Sequence, residues 1–478
     1  MRSLFCTVLI CLAAIPAASQ SFPDFVIRVN IAPEQRRQYL VDSMLATIPA
    51  FPFAESDSMV WFLYKGAAQD VAVSGDMNNW NDLASPLQRL STTDLWYRGE
   101  RYAHDARLDY KFIVNGTWIL DPRNPHTISG GFGPNSELRM PGYQPPPEIQ
   151  RIAGVPRGTL FDTTMASPTL NNSRTVRVYL PAGYELNTAR YPVVLFHDGL
   201  DYLALGSAAN VLDNLIHQGR IPPCVAVFVP AVNRSPEYAG AQIDSYTDFI
   251  VNTVMHWVDT RFRTRSDPAA RAVMGASNGG NISLYMAMKH PDVFGNVGAQ
   301  SSNIIASITD RFEQDPVLPL RLYLDLGTFD IDMLIPMVRA FVPVLRSKGY
   351  EHHYQEFHEG HSWGNWRAHI DDALVFFFAR LLSTDMPSTP EGQGFRIDPA
   401  WPNPASTQIT LRYSLARGAW MRVTLHDLLG RDVGVLSDRQ EDAGTGILRC
   451  TLPVLSPGLY LIRAATPTGT AVQRIAVR

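Results

Sequence analysis

The stretch RAVMGASNGGNISLYMAMKHP, residues 271–291, decides the interpretation of this chain. The apolar run from Arg271 predicts a strand that enters a Gly-x-Ser-x-Gly pentapeptide, and the pattern from Asn281 predicts a helix closed by Pro291. Glycines on both sides of Ser277 allow the sharp strand-to-helix turn that exposes a serine hydroxyl. We therefore predict that Ser277 is a nucleophile at the carboxyl edge of a sheet; the alternative is a structural serine in a glycine-rich turn.

A nucleophilic serine needs a base and an orienting acid, which follow the serine along the chain in the order acid, then histidine. His361, in a loop between a strand-like run and the last helix, is the predicted base, and we expect the Ser277 hydroxyl within hydrogen-bond reach of its ring. His358 is the nearest rival. His352 and His353, at the start of a strand, are expected to be solvated, and His369, inside a helix, is expected to pack there.

Three aspartates crowd the position where the acid is expected. Asp330 follows a strand and a glycine, so it is predicted to lie in a loop at the carboxyl end and is favoured as the acid. Asp325 lies within the strand itself. Asp332 is expected to cap the next helix.

Backbone donors must stabilise the oxyanion that forms when a serine attacks a carbonyl. One is predicted to be the N–H of the residue after the nucleophile, and the other to come from the loop after the strand YPVVLFHDG; the residues are Asn278, Gly199 and Leu200. Three side chains are candidates for a substrate pocket: Trp363, Trp366 and Asp201. The two tryptophans either line the pocket or anchor the last helix. No metal site is expected, because no histidine or cysteine cluster has metal-ligand spacing.

The middle of the chain alternates apolar strand-like runs with helical patterns. The strand-like runs are TVRVYLP, YPVVLFHDG, PCVAVFVP, RAVMGAS, VGAQSS, LRLYLDLG and HHYQEFH, and the helical patterns are YTDFIVNTVMHWVDTRF, NGGNISLYMAMKH, IPMVRAFVPVLRSKG and NWRAHIDDALVFFFARLL. Such alternation, with unbroken apolar strands, predicts a mainly parallel sheet with helices on both faces.

Short strands and turns before and after this segment predict two flanking all-β sandwich domains. Proline-rich and polar stretches place the linkers. The predicted division is a signal peptide at 1–19, a β-sandwich with a helical lead-in at 20–143, a linker at 144–154, the α/β domain at 155–382, a linker at 383–396 and a β-sandwich at 397–478.

Composition narrows the function classes. The 478 residues are 46% hydrophobic and 18% charged, as in globular proteins, and the net charge of −4 offers no basic surface for nucleic acid. The apolar part of the first 20 residues is too short to span a membrane, and no later run is long enough. Two cysteines, Cys224 and Cys450, remain after the signal peptide, in different predicted domains, so no disulfide framework is expected.

Four motifs, YPVVLFHDG, GASNGG, LDLGTFD and EGHSWGNWR, together resemble the putative-esterase family of α/β-hydrolases, which includes enterochelin, feruloyl and acetylxylan esterases. The resemblance covers about residues 155–382 and implies Ser277 as nucleophile, His361 as base and the Asp330 region as acid. The first segment, through VAVSGDMNNW and DPRNPHTISGGFGPNSELRMPGY, resembles the early-set immunoglobulin-like domain of the enterochelin-esterase-like subgroup, which is similar to glycogen-binding modules. Its Trp80, Trp96 and Trp118 either stack on sugar rings or pack the domain.

The tail resembles the type IX secretion sorting domain, through WPNPAS, LHDLLGRDV and LSPGLYLIRA. With the signal peptide, this implies a secreted or cell-surface protein with the secretion machinery as a partner. The resulting expectation is a cofactor-free serine esterase acting on a small-molecule or saccharide ester, with a carbohydrate- or catechol-linked ester as candidate. An acyltransferase with the same triad and a non-catalytic binding protein with this fold are the alternatives.

Overall fold

The computed structural model describes residues 21–131, 133–384, 395–397, 400, 403–415, 417–427, 431–467 and 469–477. The chain forms two compact units, Met1–Leu382 and Ser383–Arg478, which are described separately below. The predicted signal peptide and most of the predicted linker at 383–396 lie outside the described residues.

The first unit begins with two helices followed by short strands. The helices are α1 (Phe22–Ile31) and α2 (Glu34–Leu45), and the strands are β1 (Phe53–Ala54), β2 (Met59–Lys65), β3 (Val71–Gly75), β4 (Gln88–Arg89), β5 (Leu95–Arg101), β6 (Arg107–Val114), β7 (Thr117–Ile119), β8 (Thr127–Gly130) and β9 (Gly133–Arg139). One sheet has the order β1-β2-β5-β4, and β6 pairs with β3, β7 and β9 in a second. Apolar residues of both sheets, among them Phe62 and Phe112, share one core.

The N-terminal region contains a tight Asn-Gly turn, and its three candidate sugar-stacking tryptophans differ in exposure. Asn115 and Gly116 both have positive φ and join the antiparallel pair β6 and β7 in a hairpin, as an Asn-Gly dipeptide between two strands favours. Trp96 is buried and donates to the carbonyl of Gly66. Trp118 is 42% exposed, and its ring stacks on that of Trp80 with centroids 6.3 Å apart.

The middle of the chain builds a large sheet in which strands alternate with helices. Its strands are β10 (Thr159–Ser167), β11 (Asn172–Leu180), β12 (Val193–His197), β13 (Val225–Val229), β14 (Arg271–Ala276), β15 (Asn296–Gln300), β16 (Arg321–Phe329) and β17 (Glu351–Gly360). Their spatial order is β10-β11-β13-β12-β14-β15-β16-β17, and all pairings from β13 to β17 are parallel. The first two strands run antiparallel, so the sheet is mixed, with a parallel centre.

Helices cover both faces of this sheet. They are α3 (Gly199–Ala204), α4 (Ala208–His217), α5 (Arg234–Ala239), α6 (Ile243–Asp248), α7 (His256–Arg261), α8 (Asn278–Lys289), α9 (Ala306–Gln314), α10 (Leu334–Lys348), α11 (Trp363–Ala368), α12 (Ile370–Phe378) and α13 (Leu381–Thr384). Successive residues of β12 enter different cores: Val193 and Leu195 pack in the core that includes α8 and α10, whereas Val194 and Phe196 pack in the core that includes α4 and α12. This alternation is the period of two that a strand buried on both faces requires.

Two of the predicted long helices are interrupted. A π-helical segment, Phe249–Met255, separates α6 from α7, and the last predicted helix is divided into α11, α12 and α13. Strand β10 and helices α3, α4, α5 and α9 were not predicted. Helices α3 and α5 have 6 residues each, too few to show a helical period, whereas α4 buries Val211, Leu212 and Leu215 at helical spacing that the prediction overlooked.

The large sheet does not end at β17. Glu359 of β17 pairs in parallel with Arg107 of β6, so the second N-terminal sheet continues the middle one into a single sheet of 13 strands. One of the two N-terminal sheets is thus shared with the middle of the chain. That residues 20–143 form a separate sandwich domain stays a prediction.

The second unit is all-β within its described residues. Its strands are β18 (Phe395–Ile397), β19 (Gln408–Leu415), β20 (Ala419–His426), β21 (Asp432–Glu441), β22 (Gly444–Thr451), β23 (Gly458–Thr466) and β24 (Gly469–Val477). They form one sheet of three strands and one of four, whose apolar residues share a core. Among the described residues of both units, no helix has the length and apolar character needed to cross a membrane.

Candidate active site

Ser277 lies at a sharp turn between β14 and α8. Its φ of 58° and ψ of −122° fall outside the regions that side chains ordinarily occupy, which is the backbone strain typical of functional turns. The turn is tight: a Cβ on Gly275 would lie 2.6 Å from the backbone of Gly279. The Ser277 N–H is fixed by the carbonyl of Gln300 on the neighbouring strand, at 2.8 Å.

Two short backbone segments at this edge carry the predicted oxyanion donors. Asn278 is the first residue of α8, where backbone N–H groups have no partner within the helix. Gly199 and Leu200 begin α3, directly after β12, which is the parallel neighbour of β14. A Cβ on Gly199 would lie 2.3 Å from the Val229 nitrogen, so a glycine is needed here for close packing on β13.

An ion pair joins these two turns. Arg234 of α5 donates to both carboxylate oxygens of Asp198, at 2.7–3.0 Å, and also to the carbonyl of Ala276, at 3.2 Å. The Asp198 N–H in turn donates to the hydroxyl of Tyr238. Sequence reasoning missed Arg234, which follows an unpredicted loop and has no motif of its own.

His361 is held by Asp330 and by an aromatic ring. Its Nδ1 lies 2.7 Å from Oδ1 of Asp330, which is 2% exposed and also accepts from the N–H of Ile331 at 2.7 Å. The Trp366 ring stands edge-on to the imidazole, with centroids 4.9 Å apart. These contacts orient the ring and place its Nε2 on the side opposite the carboxylate.

The rival histidines have other partners. His358 bonds through Nδ1 to Asp105 of the N-terminal region, at 2.7 Å. His369 is buried and bonds through Nε2 to Glu359, at 3.0 Å. His353 stacks on the buried Tyr323, and Nδ1 of His352 faces the carbonyl of Tyr350.

The other two candidate acids, Asp325 and Asp332, have different surroundings. Asp325 is fully buried in β16 and accepts from Gln300 Nε2 and the Ser301 N–H. Burial raises the pKa of Asp325 to about 6. Asp332 is exposed and does not cap α10, whose N-cap is Met333 without a side-chain bond; the chain makes one further turn before the helix begins.

Ser277 and His361 lie at the same edge of the sheet, directly after β14 and β17. Strands β14, β15, β16 and β17 are successive parallel neighbours, so their carboxyl ends meet at this edge. Gln300 connects the two loops: its carbonyl holds the Ser277 N–H, and its side chain donates to the Trp366 carbonyl at 3.1 Å. The expected hydrogen bond between Ser277 Oγ and His361 Nε2 is not formed, since neither atom has a hydrogen-bond partner among the described residues.

The three predicted pocket side chains differ in exposure. Trp363 and Trp366 are each 7% exposed, and their rings contact each other with centroids 5.1 Å apart. Trp363 also packs on Tyr202. Asp201, in the first turn of α3, is more exposed than the tryptophans. Partial shielding of its carboxyl from water and the nearby Asp198 carboxylate raise its pKa. Their role as a pocket stays a prediction. In the described part of the chain, no group of three or more His, Cys, Asp or Glu is arranged to hold a metal ion.

Comparison with known proteins gives relatives for most of the first unit. YjcH of Bacillus subtilis, an uncharacterized protein, is 26% identical over 232 residues, which are 45% of this chain and 96% of YjcH. The endo-1,4-beta-xylanase/feruloyl esterase of Xylanibacter ruminicola is 24% identical over 204 residues, which are 40% of this chain but 28% of that protein. The crystal structure of the ferric enterobactin esterase of Salmonella typhimurium shares the fold, with a TM-score of 0.61 at 20% identity, over 69% of this chain and 96% of that one.

Two family models match separate parts of the chain. Residues 399–478 match the secretion system C-terminal sorting domain, which indicates export through type IX secretion to the cell surface or outside. Residues 167–377 match the family described as putative esterase. The two matches confirm the esterase and sorting-domain resemblances inferred from the motifs.

Proposed function

We propose that this protein is an exported serine esterase that uses Ser277, His361 and Asp330. The observation that carries the proposal is the 2.7 Å bond between the buried Asp330 and His361, at the sheet edge where Ser277 occupies its strained turn. A carboxylate that holds one imidazole nitrogen leaves the other free to accept a proton. The match to the putative esterase family supports ester hydrolysis as the reaction class.

In this mechanism Ser277 Oγ attacks the ester carbonyl while His361 Nε2 takes its proton. Asp330 keeps the imidazole in the required tautomer and stabilises its charged form. The N–H groups of Asn278 and of Gly199 or Leu200 donate to the oxyanion of the tetrahedral intermediate. His361 then protonates the leaving alcohol, and a water that His361 deprotonates releases the acyl group from Ser277.

For the substrate we propose a small-molecule or saccharide ester whose alcohol or acyl part is a carbohydrate or a catechol. This follows the relatives, one described as a feruloyl esterase and another as an enterobactin esterase. A panel of acetyl, feruloyl and catecholate esters, compared by kcat/KM, tests the proposal.

The decisive variant is Ser277→Ala. It is expected to lower kcat on a nitrophenyl ester by ~10⁴ or more, because the nucleophile is lost. Ser207→Ala is the matched control: Ser207 also has positive φ before a helix, α4, and its side chain makes no capping bond. Full activity in Ser277→Ala would rule out the mechanism.

The two alternatives give other results in the same assay. A burst of nitrophenol followed by slow turnover, accelerated by added sugar or lipid alcohols that appear in the product, would indicate an acyltransferase. No burst, with binding of the ester retained, would indicate a binding protein. Hydrolysis without an acceptor supports the esterase.

A further inference from the structure

Arg107 of the N-terminal region is buried against the loop that carries His361. It has no exposed surface, and its guanidinium lies 2.5 Å from both Asp109 and Glu137. Nη1 also donates to the hydroxyl of Ser362 at 3.0 Å. A buried guanidinium needs such partners, and one of them follows His361 directly.

Glycines on either side of the His361 loop let the N-terminal region approach closely: Gly360 ends β17, and Gly364 lies in the first turn of α11. A Cβ on Gly360 would lie 2.0 Å from Cγ of Asp76, and a Cβ on Gly364 would lie 2.0 Å from Cζ of Arg107. Any larger residue at either position would force these contacts apart. The loop therefore meets a side chain of the N-terminal region on each side of His361.

These contacts lie at the end of β17 and in the residues that follow it. β17 pairs with β6 at one position, Glu359 with Arg107, and the neighbouring His358 bonds Asp105 of the N-terminal region. The Ser362 hydroxyl bonds Arg107 and also Asp109, at 3.3 Å, and makes no cap for α11. The Asp330 side also borders this region, since Phe329 packs edge-on against Tyr102 with centroids 5.8 Å apart.

We propose that Arg107, acting through Ser362, is a positioning residue that holds the His361 loop in its catalytic geometry. This rests on the proposed function, because it assigns the N-terminal region a role in the same triad. Positioning matters here since a shift of about 1 Å in a catalytic group costs ~10²-fold in rate.

The test is a double-mutant cycle with nitrophenyl acetate, using Ser362→Ala and Arg107→Met in the wild type and in His361→Ala. We expect kcat to fall about tenfold for Ser362→Ala and ~10²-fold for Arg107→Met, with KM nearly unchanged. In His361→Ala neither change should lower the residual rate further, because residues that act as a unit are non-additive. Ser362→Ala removes one hydroxyl, so it keeps the test valid where Arg107→Met fails to fold.

Arg271→Met is the matched control. Arg271 is also buried and ion-paired, with Asp259 at 2.7 Å, but it lies at the start of β14, at the opposite end of the strand from Ser277. It is expected to lower the melting temperature without lowering kcat at a temperature where it is folded.

The outcomes separate this proposal from the one beneath it. Wild-type turnover in His361→Ala would overturn the proposed function, and the positioning role with it. Loss in His361→Ala combined with wild-type kcat in Ser362→Ala and Arg107→Met would overturn the positioning role alone. Equal losses in both backgrounds would also overturn it, since Arg107 would then act on the structure as a whole.

Discussion

The choice among three aspartates at the end of β16 depends on what each carboxylate touches. Asp330 shares Oδ1 between His361 and the N–H of Ile331, and it is buried, so the charge is held close to the imidazole. Asp325 is occupied by Gln300 and Ser301. The sequence predicts Asp325 within the strand and Asp330 in the loop after it, but it does not reveal the extra turn of backbone that keeps Asp332 from capping α10.

Asp330→Asn is expected to lower kcat by ~10⁴ with little change in fold, because an amide at this position favours the wrong imidazole tautomer. The measurement is kcat on a nitrophenyl ester together with the far-ultraviolet circular dichroism spectrum. Asp332→Asn is the control and should behave as the wild type, since Asp332 is exposed. Wild-type activity in Asp330→Asn would move the acid role to Asp325.

At the scale of elements, the strand–turn–helix around Ser277 is the part that sequence predicts best. Glycine spacing, an apolar strand and a helical pattern are local signals, and β14 and α8 follow them. All seven strands predicted in the middle segment are present for the same reason. The division of the last helix at His369 was not predictable, because it depends on a partner in β17.

His369 joins the start of α12 to β17. Burial alone lowers the pKa of its imidazole, but contacts with Asp372 and Glu359 outweigh burial and raise the pKa to about 9. An unfolded histidine titrates near 6.5. Because the folded pKa is the higher one, this stabilisation is complete below about pH 6.5 and is lost as the pH rises through about 9.

His369→Gln is therefore expected to lower the free energy of unfolding by about 3 kcal/mol near pH 6, and by progressively less as the pH rises through about 9. The melting temperature should accordingly fall most near pH 6. The measurement is the melting temperature of both proteins at half-unit pH steps. His256→Gln, a change at an exposed histidine of α7, is the control. A difference that stays constant with pH would show that the imidazolium has no part in stability.

On the scale of the whole molecule, the sequence predicts a series of modules, whereas the structure joins the first two through one sheet. The parallel pairing of β6 with β17 links residues about 250 positions apart, and no local period encodes such a pairing. Arg107 illustrates the same limit. In the run RLDYKFIV it has the appearance of a surface charge at a strand end. Its burial depends on Asp109 of the same strand and also on Glu137 of β9 and Ser362, which are distant in sequence.

This organisation predicts which parts can be removed. All the proposed catalytic residues and the Arg107 cluster lie in the first unit, and the second unit has its own core. A chain of residues 21–384 should therefore keep kcat/KM within about twofold of the chain 21–478, as expected for independent domains. A chain that begins at residue 144 should instead lose stability and activity, because it leaves the buried Glu359 without Arg107 and uncovers the end of β17 beside His361. Activity on a nitrophenyl ester and the elution volume in size-exclusion chromatography measure both. A soluble, fully active chain from residue 144 would show that the shared sheet is a contact between independent domains, and loss of activity in the chain 21–384 would place part of the site in the tail.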